Sequence, residues 1–450
     1  MNKLKLLWSN LRSSLWFIPT LIVAASIMLA VAVIDVDSHE SDLWLAQWPR
    51  LFGAGAEGAR GMLSTIAGSM MSVVGVTFSM TLVALAMASS QYTSRILRNF
   101  MSSRVTQSVL GIFSGIFTYC LIVLRTIRGG DEGVFVPNLA VFLGFVLAVG
   151  GVGLLIFFIH HVASSIQASS IIASVANETV EAIDRLFPKQ LARGTDEDPD
   201  DLSSLPPNGG KWQTVPALKS GYIQSVDNSA LLRLAREQKT VVRMERGIGE
   251  FVVENTALAS LSLENPPSAE TTVALQATFN FSSYRTLEQD AAFGIRQIVD
   301  VALKALSPGV NDTTTAVTCV DYLTVILARL ATKHIPASHR YEDGALRVIA
   351  VGPSFQSLLS EAFDQIREGA KGNLSMMLRM LDSVRTIASL TSDPSRRQAL
   401  HEQVEWITEL AKRSTDSPHD RSLFEGQLVQ VRKSLKVDLI LPIHEEPKEA

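Results

Sequence analysis

The chain has 450 residues with 40 Lys and Arg against 44 Asp and Glu, a net charge of −4, so no basic excess is available to grip nucleic acid through its phosphates. Hydrophobic residues make up 47% and charged residues only 19%, and the mean hydropathy of +0.22 excludes a disordered or fibrous chain. Two cysteines cannot build a disulfide framework, and the length allows about three structural units.

The apolar excess lies in the first third. Formal charges are absent from Gly61 to Ser94, Val105 to Leu124 and Gly133 to Asn177, and Leu15 to Ile34 forms a fourth uncharged stretch. A helix of about 20 apolar residues crosses the hydrocarbon layer of a bilayer. Spans are therefore expected at 15–35, 62–88, 107–127 and 136–160. Ala30-Val31-Ala32 resembles a signal-peptidase site, but the apolar stretch is longer than a signal peptide's, which favours an uncleaved anchor. Lys3, Lys5 and Arg12 precede the first span, and Arg95, Arg98 and Arg104 separate the second from the third, whereas the loop after the first span is mostly acidic. The positive-inside rule then puts the N-terminus and everything after the fourth span in the cytoplasm.

Apolar residues keep helical spacing from Val162 to Phe187, so the fourth span is expected to continue as one long helix up to Pro188. The stretch from Gly194 to Gly210 combines acids, prolines and glycines and reads as an exposed linker. Ser220 to Val226 and Thr240 to Leu258 have β-branched runs on either side of a helical pattern at Asn228 to Gln238. Beyond Pro266-Pro267 the pattern is mostly helical. Thr286 with Gln289 is a capping-box signature for a helix carrying Ala291, Ile295, Ile298, Ala302 and Leu306, and Asn311 and Asp312 can cap the next. A strand is expected at Leu346 to Val351, and further helices at 354–369, 374–390, 395–414 and 420–436. The expected fold is mainly α: a four-span transmembrane bundle with both termini inside, followed by a cytoplasmic small α+β unit and an α-helical domain. Its divisions are 1–187, an acidic linker at 188–213, a barrel-like unit at 214–265 and the helical domain at 266–450.

Three stretches carry a resemblance: Phe78 to Tyr92 (FSMTLVALAMASSQY), Tyr284 to Asp300 (YRTLEQDAAFGIRQIVD) and Ala305 to Asp312 (ALSPGVND). In them the chain resembles the bacterial predicted membrane proteins grouped as domain-of-unknown-function family 2254, over nearly its whole length. The resemblance implies a bacterial inner-membrane location. It brings no activity, substrate or catalytic residue.

The second span is the most informative element. Gly61, Ser64, Thr65, Gly68, Ser69, Ser72, Gly75 and Ser79 recur near helical spacing and form a small, weakly polar face. Small residues let membrane helices approach closely, which is the commoner use. The same helices around a symmetry axis would set hydroxyls along an ion or water path. No Asp, Glu, Lys or Arg lies inside any span core, which argues against a coupled pump and leaves a passive pore or an anchor. His160 and His161 point about 100° apart on a helix, so they are read as interfacial imidazoles and no metal site is assigned. The polar group Arg285, Glu288, Gln289, Asp290, Arg296, Asp300, Asn311 and Asp312 either fixes how helices meet or holds a regulatory ion or ligand. No Gly-rich phosphate loop, HExxH or GxSxG pattern is present, so neither catalysis nor a cofactor is expected. These features lead to a homo-oligomeric passive channel for ions or small solutes with a cytoplasmic regulatory domain. The alternative is a membrane-anchored sensor or scaffold that binds a cytoplasmic ligand or partner. The lipid bilayer is the partner common to both readings.

Overall fold

The computed structural model describes residues 16–39, 55–91, 104–128, 135–165, 167–187 and 211–436. The basic segments at 3–12 and 95–98, and most of the expected linker, lie outside the described residues. The chain falls into two compact units, 1–170 and 171–450.

The first unit contains α1 (Phe17–His39), α2 (Ala56–Gln91), α3 (Arg104–Thr126) and α4 (Asn138–Ser165). All four are long and apolar enough to cross a membrane. The central helix is α3, which packs on the other three. Its glycines make this possible: a methyl group on Gly111 would lie 2.8 Å from Ile22 Cδ1 and 2.9 Å from Pro19 Cα, and one on Gly115 would collide with Ser26. Such small residues let two helices close to backbone distance without a hydrophobic driving force between them. Leu63, Phe113, Ile116, Tyr119 and Phe158 fill the interior.

One end of the bundle is tied by polar contacts. The Asp37 carboxylate accepts from the backbone N–H of Leu139 (3.2 Å) and Ala140 (3.0 Å), capping α4 with an anion where the helix dipole is positive. Tyr119 donates its buried hydroxyl to the Ala140 carbonyl at 2.9 Å, and Arg60 donates to the Ile127 carbonyl at 2.8 Å. The C-terminal ends of α1 and α3 therefore meet the N-terminal ends of α2 and α4, as an up-down-up-down bundle requires. Leu21 and Met28 of α1 and Phe145 and Ile156 of α4 are exposed, which suits contact with lipid.

The expectation of one helix from the fourth span to Pro188 is corrected. Helix α4 ends at Ser165, and α5 (Ala168–Leu186) starts anew. At this break the backbone N–H of Gln167 bonds to the Ser164 carbonyl three residues back (3.3 Å), and the Ser165 hydroxyl bonds to the His161 carbonyl (2.7 Å).

The second unit joins α5 to two sheets and a helical layer. A five-stranded sheet has the order β1 (Lys211–Pro216), β5 (Ala257–Leu263), β3 (Val242–Met244), β8 (Ala345–Ile349), β7 (His339–Glu342). A three-stranded sheet has the order β4 (Phe251–Val252), β2 (Gly221–Val226), β6 (Phe279–Ser282). All pairs are antiparallel except β3 with β8, where Val242 lies beside Val348. Thus strands from 339–349 complete a sheet begun by strands at 211–263. Helix α6 (Asn228–Glu237), capped by Asp227, and α7 (Ala269–Gln276), capped by Ser268, belong to this part. Leu231, Leu234, Val242, Met244, Leu258, Leu261, Phe279 and Val348 form its core.

The helical layer comprises α8 (Ala291–Leu306), α9 (Thr313–Ala331), α10 (Phe355–Gly369), α11 (Leu374–Ala388), α12 (Pro394–Ser414) and α13 (Pro418–Lys436). Their starts follow the side chains that cap them: Asp312, Ser354, Asn373 and, with Pro394 at N1, Asp393. The capping box expected at Thr286 and Gln289 is not formed. Asp290 caps α8 instead, through Phe293 N–H at 3.1 Å, and Gln289 accepts from Val226 N–H. Helix α9 is also long and apolar enough to cross a membrane. Its apolar stripe packs on α8 and α11, its Asp321 pairs with Arg379, and buried Arg396 donates to the carbonyls of Leu330, Ala331 and Lys333 at its end.

Candidate functional site

On α2, the packed and small-residue faces are opposite. At 100° per residue, Gly61, Thr65, Gly68, Ser72, Gly75 and Ser79 lie within roughly 40° of one line along the helix. Ala59, Leu63, Ala67, Met70, Thr77 and Ala84, the buried residues of α2, centre on the far side. All six residues of the small line are exposed, and a methyl group added to Gly61, Gly68 or Gly75 would have nothing within 4 Å. Ser69 sits about 80° from the line, at its edge rather than within it. The Thr65 and Ser72 hydroxyls bond back to the carbonyls of Gly61 (2.8 Å) and Gly68 (3.0 Å), so they present oxygen lone pairs while their own protons are satisfied. The helix thus offers a charge-free, weakly polar strip that the other described residues of the first unit do not cover.

The eight polar residues of the second unit do not converge. Arg285 grips Asp290 with two hydrogen bonds, 2.7 and 3.0 Å, at the start of α8. This contact depends on Gly249, whose φ of +86° brings its backbone so close that a methyl group would lie 3.0 Å from Arg285 Nη2. Farther along α8, Arg296 pairs with Asp300 (2.8 Å) and Glu361 (3.5 Å), tying α8 to α10. Asp312 caps α9, and hydrogen bonds from Thr315, the hydroxyl first, hold its carboxyl below the usual carboxylate range. Asn311 takes a left-handed turn (φ 50°) just before it, and Glu288 is exposed. Arg296 joins α8 to α10 and Gln289 joins the start of α8 to β2, whereas Arg285 with Asp290 and Asp312 with Thr315 are local contacts at helix starts.

Sequence reasoning missed two features. One is Asp184 on α5, bonded by Arg329 at 2.7 and 2.8 Å and by Lys333 at 2.7 Å. Hydrogen bonds from Arg329 and then Lys333 pull its pKa from 3.8 to about 2. The other is a cavity of about 360 Å³ walled by Phe187 after α5, Met244 of β3, Ile248, Glu250, the first turn of α8 and Arg340 of β7. Its walls come from segments far apart in sequence, so no local signal announced it. His161 stacks on Phe157 with ring centroids 6.0 Å apart. Among the described residues no group of three His, Cys, Asp or Glu side chains is placed to hold a metal.

Several apolar helices of crossing length, one of them with an uncovered small-residue face, define a membrane protein. The family described as "Predicted membrane protein (DUF2254)" matches residues 12–386, and the chain belongs to it. Uncharacterised proteins of Mycobacterium bovis and Mycobacterium tuberculosis are each 30% identical over 435 residues, 95% of this chain and 81% of theirs. No solved structure matches the chain.

Proposed function

We propose that the protein is a homo-oligomeric, passive conduit for ions or small solutes in the bacterial inner membrane, with the α2 face lining the path. In this reading α1 to α4 cross the membrane, the N-terminus is inside, and residues 171–450 form a cytoplasmic regulatory part. The basic residues before α1 and between α2 and α3 support that orientation. Helix α9 is counted with the cytoplasmic part because its Asp321 and Arg329 are engaged with Arg379 and Asp184. The observation that carries the proposal is the uncovered strip from Gly61 to Ser79, opposite the face that α2 buries. A lipid-facing helix gains nothing from that strip, whereas a ring of copies around an axis would place small residues and hydroxyl oxygens where a solute needs room and weak ligands. The absence of ionisable residues on the strip favours passive flow over coupled transport. The reading assigns no catalysis and no cofactor.

The test is solute and ion flux through the purified protein in liposomes. Wild type should conduct, and Ser72→Leu should block flux while the oligomer still assembles. Absence of flux under all ionic conditions would sink the proposal. The cavity in the second unit favours a second reading, a membrane-anchored sensor. Under that reading, Ser72→Leu changes assembly alone.

A further inference from the structure

Strand pairing places Arg340 in an unusual position for a cation. It lies opposite Val348 across β7 and β8, and Val348 lies beside Val242 of β3. Paired residues project to the same side of a sheet, so Arg340 shares the face that carries buried Val348 and Val242. Its Nε is buried and bonds to nothing, and among the described residues no carboxylate forms an ion pair with it. Burial pushes its pKa below the ordinary arginine value. The side chain as a whole is half-buried, and a guanidinium does not escape the cost of its buried part by losing its proton, so an acceptor at Nε would be favourable.

The other charges of the cavity wall are already matched. Asp290 is held by both arms of Arg285. Glu250 accepts from Gly247 N–H at 2.9 Å and faces Arg246 at 3.5 Å. Arg340 is thus the one charge of the cavity wall with no ion-pair partner among the described residues. The rest of the wall includes Met244, Ile248 and Ile335, and the volume of about 360 Å³ is that of a small-molecule site rather than of a bare ion.

We infer that this cavity binds a small organic anion, a carboxylate or phosphate monoester, with its charged end on Arg340 and its apolar part against Met244, Ile248 and Ile335. The site stands whether or not α2 lines a path. Leu186, the last residue of α5, and Phe187, which follows it, wall the cavity, and α5 follows α4 in sequence.

The experiment uses the full chain in nanodiscs, titrated with phenyl phosphate, hexanoate and inorganic phosphate, and followed by calorimetry and thermal melting. Phenyl phosphate or hexanoate should bind more tightly than inorganic phosphate and raise Tm. Arg340→Met should lose about ten-fold or more in affinity, the worth of a charge-assisted hydrogen bond. Without ligand its Tm should equal or exceed that of wild type, because a half-buried charge with no ion-pair partner has been removed. Arg340→Lys should bind with intermediate affinity. Arg243→Met should bind like wild type, because Arg243 occupies the alternate position on β3 and stacks over Trp212 on the other side of the sheet. Dodecanoate separates the sources of such an anion: tighter binding than hexanoate marks a lipid-derived ligand, weaker or equal binding a soluble one. Three results would overturn the inference: no response to phenyl phosphate or hexanoate at about 10 mM, a concentration that fragments of this size should not exceed; unchanged affinity in Arg340→Met; or a large fall in its unliganded Tm.

Discussion

Helices α2 and α3 both carry glycines at regular spacing and use them in opposite ways. On α3, Gly111 and Gly115 are four residues apart and pressed against Pro19, Ile22 and Ser26 of α1. On α2, Gly61, Gly68 and Gly75 recur every seventh residue, and a methyl group added to any of them would meet none of the described residues within 4 Å beyond its own helix. The four-residue spacing suits a short, close crossing of two backbones. A seven-residue recurrence keeps one face aligned along a long, nearly parallel neighbour or axis. One set of glycines closes a contact within the chain, and the other leaves a face for something outside it. The second unit repeats the contrast with charge: Asp184 is matched twice over, and Arg340 is unmatched.

These contrasts set an order of mutational effects. The largest is expected at Gly294 of α8, where an added methyl would run into buried Thr179 of α5. Gly294→Ala should cost upwards of about 3 kcal/mol, seen as a lower denaturant midpoint for the second unit. Gly111→Ala should cost roughly 1–3 kcal/mol by overpacking and lower the melting temperature of the first unit. If it melts like wild type, the closed contact on α3 is not what holds α1.

Asp184→Asn should cost roughly 1–3 kcal/mol, below a fully buried pair because Asp184 is 37% exposed, yet substantial because Lys333, 4% exposed, loses its anion. The pH dependence has a definite sign. Folding lowers the Asp184 pKa from 3.8 to about 2, so its contribution is complete above about pH 4 and is lost as pH falls toward 2. Unfolding measured across that range should show this loss in wild type and not in Asp184→Asn. The smallest effect is expected on α2. Gly68→Ala and Gly75→Ala should leave the isolated chain as stable as before, or gain up to about 1 kcal/mol from helix propensity.

Much of the fold was legible because its signals are local. The charge-free runs around α2, α3 and α4 are long enough to read without neighbours, and Asp312, Asn373 and Asp393 sit where their caps act. The start of α8 was misread because Thr286 and Gln289 match a local signature, whereas Asp290 takes the cap with support from Arg285 and Gly249, which the tertiary fold supplies. The pairing of Asp184 with Arg329 spans 145 residues and carries no local mark. Arg340 looks like any edge-strand arginine until β8 pairs in parallel with β3 and turns its face toward the core. The small-residue face of α2 was visible in sequence. Its being uncovered was not, since that depends on which side of α2 meets α3 and α4.

The central claim is that this face meets water. Native Cys120 and Cys319 are both buried, so introduced thiols can be read against a low background. Ser72→Cys, Gly68→Cys and, on the exposed apolar side of α4, Phe145→Cys should be placed in liposomes and treated with a charged, membrane-impermeant methanethiosulfonate while flux is recorded. The account predicts that Ser72→Cys and Gly68→Cys react and lose flux while Phe145→Cys stays unmodified. Equal inertness at all three positions would contradict it.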